Sequence, residues 1–143
     1  MKRHLLFLIC LISLANGQEW QCPITQGNVN TAMISSDFGP RNHSSWFHQG
    51  IDLAYPRMTP VYPTEVGRAR YLGGKERVIQ VWHPFSDPRG RSDSIPSRYI
   101  HNDSIVIPMT GERVPVTKGT IIAFVGSAGC DTPHLHFDFS FPP

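Results

Sequence analysis

Apolar residues along this chain come in short bursts, and few bursts hold one period for long. The stretches "GIDLAY" (50–55), "TPVYP" (59–63), "GRARYLG" (67–73), "RVIQVWH" (77–83), "SRYIHND" (97–103), "GTIIAFVG" (119–126) and "HLHFDFS" (134–140) alternate apolar with polar side chains or form brief runs rich in Val, Ile, Tyr and Phe. Both patterns predict strands, because successive side chains of a strand point to opposite faces. No 3.6-residue pattern lasts beyond two turns, and 12 glycines and 13 prolines scattered through the chain exclude long helices. The pattern predicts an all-β fold of antiparallel sheets, packed as a sandwich or a partly open barrel. Residues 84–98, beginning "PFSDPRGRSDSIPS", are polar and proline-rich, and they read as one long loop between two strands, either a functional rim or a mobile hairpin tip.

The first residues break the pattern. "MKRHLLFLICLISLANG" has a basic start, an apolar run from Leu5 to Leu14 and a small-residue end, the design of a secretory signal peptide cut after Gly17. The expected organisation is a signal peptide over 1–17, a lead segment over 18–33 and one catalytic domain over 34–143, without a separate wall-binding module. The mature protein is expected to be exported, extracellular or periplasmic, and free of the membrane once the signal is removed. Lys2 and Arg3 leave with it, so 11 of the 13 basic residues remain against 11 acidic ones. The apparent basicity then vanishes, and with it any electrostatic case for binding nucleic acid. Cys10 leaves too. The remaining pair, Cys22 and Cys130, could form a disulfide in an oxidising compartment.

Six histidines remain after cleavage, and three stretches holding them could carry chemistry. In "HLH", His134 and His136 share one strand face. They could be satisfied core groups, two metal ligands, or one ligand and one catalytic group. In "FHQGID", His48 and Asp52 are four residues apart. In an extended strand their Cα atoms would lie about 13 Å apart, too far to meet one ion, so the chain must turn between them. Gly50 permits that turn. Two imidazoles and a carboxylate suit zinc, and three ligands leave a fourth position open for water. Such a site also needs groups that move protons, and the spare histidine of "HLH" and His101 of "RYIH" are of the right type.

The run "ISSDFGPR…WFHQGIDLAYPRMTPVYPTEVGRARYLGG", followed in order by "RYIH", "VTKGTIIAFVGSAG" and "TPHLHF", resembles the LytM/lysostaphin-type zinc endopeptidases. The likeness runs from about Ile34 to Phe139. It implies a mostly antiparallel β fold with a substrate groove, and a Zn2+ ion held by His48, Asp52 and His136. It also implies two catalytic histidines: His134, which positions or deprotonates the attacking water, and His101, which steadies the oxyanion. The implied activity is hydrolysis of peptide cross-links in bacterial peptidoglycan, metal-activated water attacking the scissile carbonyl. Arg41 matches a recurrent arginine of the family, which pins a loop or touches substrate. Tyr99 either packs or donates to the substrate, and His83 stands behind the site or on the surface.

The alternative is a secreted zinc-binding signalling or binding module of the leukocyte cell-derived chemotaxin type, which shares the fold and metal triad but lacks a histidine at the position of His101. Asn42 and Asn102 lie in N-x-S sequons, and a glycan on Asn102 would crowd His101.

Overall fold

The computed structural model describes residues 19–25, 33–41, 47–87 and 89–140. The signal peptide read over 1–17, His43 and the sequon at Asn42 lie outside the described residues. Twelve strands follow in chain order: β1 (Ile34–Ser36), β2 (Gly39–Pro40), β3 (Phe47–His48), β4 (Ile51–Leu53), β5 (Pro60–Val61), β6 (Gly67–Gly73), β7 (Val78–Ser86), β8 (Ser92–Ile100), β9 (Asn102–Ile105), β10 (Val114–Val116), β11 (Ala123–Val125) and β12 (Leu135–Phe139). Among the described residues no helix is long and apolar enough to cross a membrane.

The strands form a seven-stranded sheet in the order β1-β4-β12-β8-β7-β6-β10, a three-stranded sheet in the order β5-β11-β9, and the small pair β2-β3. The pairings are antiparallel, as the alternating sequence pattern predicts. One core joins the two larger sheets. Leu53, Ala69, Ile79, Val81, Tyr99, Leu135 and Phe137 come from the seven-stranded sheet, and Val61, Ala123 and Val125 from the three-stranded one. Alternation then sends the intervening residues to the opposite face. In β12, Leu135 and Phe137 are buried in the core while His136 and Asp138 turn away from it.

Residues 84–98 belong to a hairpin, as one of the two readings expects, but it is paired almost to its tip rather than being a long loop. Strands β7 and β8 pair from Ile79↔Tyr99 out to Ser86↔Ser92, closed by a turn in which the Asp87 carboxylate accepts from the backbone N–H of Arg89 and Arg91. The composition misleads because the hairpin outruns its neighbours: β12 stops opposite Ser97, and β6 begins opposite Trp82. Beyond those points its outer residues are largely exposed, so an apolar alternation is not required. Pro96 interrupts no ladder. Its carbonyl accepts from Ser140 N at 2.9 Å, on the edge where β12 has ended, so its missing N–H faces no strand partner.

The lead segment packs on the domain. Gln21 N donates to Thr64 O at 2.9 Å, the Gln21 side chain donates to Pro63 O and Lys118 O, and Cys22 and Ile24 join the core. The expected Cys22–Cys130 disulfide is absent, and both are free thiols. Their surroundings explain it: Cys22 is enclosed by core side chains, whereas Cys130 stands before β12 with its Sγ 3.9 Å from His134 Nδ1.

Tyr99 and His83 belong to the core side of the large sheet. The Tyr99 hydroxyl is fully buried, accepts from Thr64 N at 2.9 Å and lies 3.0 Å from Ser97 Oγ. His83 is also fully buried. Its Nδ1 donates to Val66 O, Ser97 Oγ lies 2.7 Å from its Nε2, and Trp20 packs edge-on against its ring. Burial pushes the His83 pKa down, so the ring is neutral in this setting. Tyr99→Phe should destabilise the fold by about 1–3 kcal/mol, because Thr64 N–H loses its buried acceptor. Metal affinity should not change. Urea unfolding and a chelator-competition titration measure the two effects separately.

Candidate metal centre and its flanking histidines

Strand register builds the site. His136 lies directly across from Asp52 in the β12–β4 ladder, and β3 ends at His48 two residues before β4 begins. The chain turns at Gln49–Gly50, as the spacing of His48 and Asp52 requires. Gly50 serves that turn by its size rather than by a left-handed backbone, since its φ is not in that region. A Cβ there would come within 2.4 Å of Phe137 O and 2.7 Å of His136 Nε2. Only glycine lets the turn lie against β12 this closely.

Three donor atoms converge as a result. His48 Nε2 is 3.1 Å from Asp52 Oδ1, His136 Nδ1 is 2.9 Å from the same oxygen, and the two nitrogens are 3.0 Å apart. Ligands at about 2.0–2.1 Å in a tetrahedral zinc site stand about 3.3 Å from one another, close to each side of this triangle. The tautomers agree. His48 Nδ1 donates to Asp37 O at 2.7 Å, and its neutral ring therefore presents a lone pair at Nε2. His136 Nε2 faces Asp138 Oδ2 at 3.2 Å, which leaves Nδ1 for the centre. The donor set and its outer hydrogen bonds thus fit a zinc ion.

Two further imidazoles stand beside this triangle. His134 lies just before β12, where its backbone N donates to Gly126 O at 3.1 Å. Its Nδ1 donates to Thr132 O at 2.9 Å, and its Nε2 is 3.6 Å from Asp52 Oδ1. The "HLH" pattern therefore does bring both rings to one carboxylate. His101 sits where the chain leaves β8 in the large sheet and enters β9 in the small one, and its φ is +70°. A non-glycine residue in that region is uncommon and is held there by its surroundings. Here His101 N donates to Glu76 O at 2.8 Å and Nδ1 donates to Ala128 O at 2.7 Å. The ring centroid is 4.7 Å from that of His134 and 6.2 Å from that of His136. Burial, with help from the neighbouring histidines, pushes the His101 pKa down.

Sequence reasoning missed Asp138 and Arg98. Asp138 is 1% exposed and is gripped by Arg98, Nε to Oδ1 at 2.8 Å and Nη2 to Oδ2 at 2.7 Å. The two residues are direct partners in the β12–β8 ladder. The signal was present: the two-residue alternation that groups His134 with His136 continues to Asp138. Arg41 reaches Asp52 Oδ2 at 3.4 Å and is itself exposed, so it touches the site's carboxylate. The sequon at Asn102 is closed, because Asn102 is fully buried and its Nδ2 donates to both Arg77 O and Tyr99 O.

The model of peptidase family M23 matches residues 46–141, and the chain belongs to that family. Among its curated relatives are the outer membrane antigenic lipoprotein B of Haemophilus influenzae, 30% identical over 90% of this chain and 28% of that protein, and the DD-carboxypeptidase/endopeptidase Mpg of Neisseria meningitidis, 32% identical over 73% of this chain and 24% of that protein. The chain thus spans about a quarter of the length of these two relatives. Among solved structures, a zinc containing peptidase from Vibrio cholerae is similar with a TM-score of 0.58 and 29% identity, over 84% of this chain and 36% of that one.

Burial opposes ionisation of Asp52, but hydrogen bonds from His136 and His48 outweigh it and hold the carboxyl well below the usual carboxylate range. For His136, burial opposes the charge, and the carboxylates of Asp138 and Asp52 overcome it and push the pKa up from 6.5 to about 9. A cation ligated by His136 must displace that proton. Zinc affinity should therefore rise about tenfold per pH unit and level off above about pH 9. In chelator-treated protein the raised pKa stabilises the fold fully below about pH 6.5, and that contribution is lost as pH climbs through about 9. Thermal midpoints of the chelated protein should fall over this window. Asp138→Asn should weaken zinc binding about 10- to 100-fold in a chelator competition, because the His136 ring loses the anion that orients it.

Proposed function

We propose that this chain is a zinc-dependent endopeptidase of the bacterial cell envelope that hydrolyses peptide cross-links of peptidoglycan. The observation that carries the proposal is the convergence of His48 Nε2, Asp52 Oδ1 and His136 Nδ1 at about 3 Å from one another, with two non-ligand imidazoles alongside. Membership of a peptidase family, and relatives named as an endopeptidase and an outer membrane lipoprotein, support the substrate class and the location. A bound zinc ion would supply the Lewis acidity that makes water nucleophilic near neutral pH and polarises a carbonyl.

The chain's own residues do the rest. Asp52 and the two imidazoles hold the ion, and Asp138 and Asp37 O fix the ring orientations. His134, with Nδ1 committed to Thr132 O, offers the lone pair of Nε2 beside Asp52. It takes the proton from the attacking water and returns it to the leaving amine. His101, with Nδ1 committed to Ala128 O and its pKa pushed down, enters the reaction as a neutral acceptor. It can donate to an oxyanion only in its protonated form, with a proton drawn from solvent.

A binding module would need the triad but no second pair of imidazoles. The presence of His101 within 4.7 Å of His134, ring to ring, favours the enzyme. Purified walls incubated with the protein should release new amino termini, and His134→Ala should slow that release by about 10²- to 10⁴-fold with zinc retained. Asp52→Ala should lose zinc and activity together. Equal, negligible release by the unaltered protein and His134→Ala, with zinc bound in both, would favour the binding module.

A further inference from the structure

Cys130 lies near the site and has no part in the reaction as read above. It stands at a turn closed by Cys130 N donating to Ser127 O at 3.1 Å, after Gly129 at φ +74°. The thiol is partly accessible and donates to Thr132 O at 3.4 Å, and its Sγ is 3.9 Å from His134 Nδ1. One ligand atom from each of His101, Cys130 and His134 lies within 4.8 Å of the others. None of the three belongs to the His48, Asp52 and His136 group. One sulfur and two imidazole nitrogens make a softer donor set than two imidazoles and a carboxylate. Zn–S and Zn–N bonds of about 2.3 and 2.0–2.1 Å bring sulfur and nitrogen within about 3.5–3.6 Å of each other, so the 3.9 Å seen here needs little adjustment.

We infer that His101, Cys130 and His134 form a second metal site, selective for thiophilic ions such as zinc and cadmium, whose filling shuts the first site down. Binding exchanges the thiol proton for the ion, and that proton goes to solvent. His134 can ligate through Nδ1 only by giving up its donation to Thr132 O, and the ring proton then sits on Nε2. Nε2 is the atom that faces Asp52, so a ligated His134 presents a proton where it otherwise presents a lone pair. His101 is held by the same ion. The inhibitory consequence rests on the proposed catalytic role of these two histidines, whereas the site itself does not. The first group's donor atoms already lie 2.9–3.1 Å from one another, whereas the second must give up the His134–Thr132 hydrogen bond and the thiol proton, so the second fills afterwards.

Cadmium reports on this directly, because thiolate-to-cadmium charge transfer absorbs in the ultraviolet and imidazole and carboxylate ligands give no such band. Titration of the unaltered chain should give the band, Asp52→Ala should keep it, and Cys130→Ser should lose it, with Cys22 enclosed in the core in all three. With purified walls as substrate, zinc beyond one equivalent should suppress release of amino termini by the unaltered chain and spare Cys130→Ser. The absence of a band in the unaltered chain, or an undiminished band in Cys130→Ser, would overturn the site whatever the walls show. A band that behaves as stated while excess zinc inhibits both proteins equally would overturn the inhibitory role.

Discussion

Everything at the centre hangs from one cross-strand pairing. β12 lies against β4 so that His136 faces Asp52, with Nδ1 and Oδ1 2.9 Å apart. Backbone hydrogen bonds of the large sheet fix that register, and a one-residue slip of β12 would turn His136 into the core and away from Asp52. The same ladder continues on the other flank of β12, where Asp138 meets Arg98 on β8. Two registers on one strand therefore place the ligand, its carboxylate partner across the ladder and the anion that orients it. The core supplies the restoring force: Leu135 and Phe137 are buried on the reverse of β12, and shifting the register would expose them.

The remaining groups come from places where the sheets end or change direction. His48 arrives through a turn that fits only because Gly50 carries no side chain. His101 occupies the corner between the two sheets, in a backbone region that a histidine rarely adopts. Asn102 anchors that corner, its buried amide spanning Arg77 O and Tyr99 O. The strained residue and its buried anchor are adjacent in sequence, so packing beneath the corner acts together with the turn carbonyls of Glu76 and Ala128 to place the His101 ring.

The fold class and the five histidine and aspartate positions of the centre could be read from the sequence, because both rest on short patterns. Alternation predicts the strands, and the β6 bounds agree with "GRARYLG" from end to end. The failures have a common cause. The length of the β7–β8 pairing is hidden because prolines and polar residues interrupt the alternation where the hairpin outruns β6 and β12. Simple alternation would put Tyr99 on the face of His101, two residues on, but the positive φ of His101 ends the alternation there and Tyr99 packs in the core. Cys22 and Cys130 were paired by counting, and their separation in space is a matter of topology that counting does not reach. Arg98 and Asp138 needed the strand order, since β8 and β12 become neighbours only once the sheet is assembled.

Four histidines near one another pose a problem of protons, and the backbone solves most of it. His48, His101 and His134 each donate Nδ1–H to a main-chain carbonyl: Asp37 O, Ala128 O and Thr132 O. A carbonyl accepts at any pH and never donates, so each ring, when neutral, is held in the tautomer that leaves Nε2 with its lone pair. His136 alone is tethered through Nε2, and to a carboxylate rather than a carbonyl. Its pKa is pushed up to about 9. The distinction bears on the proposed chemistry. A ring on a carbonyl, when neutral, offers a lone pair at Nε2, to an ion in the case of His48 and to a proton in the case of His134. A ring between two anions holds a proton until a cation takes its place. What the outer nitrogen touches therefore decides whether a ligand must first give up a proton, as His136 must.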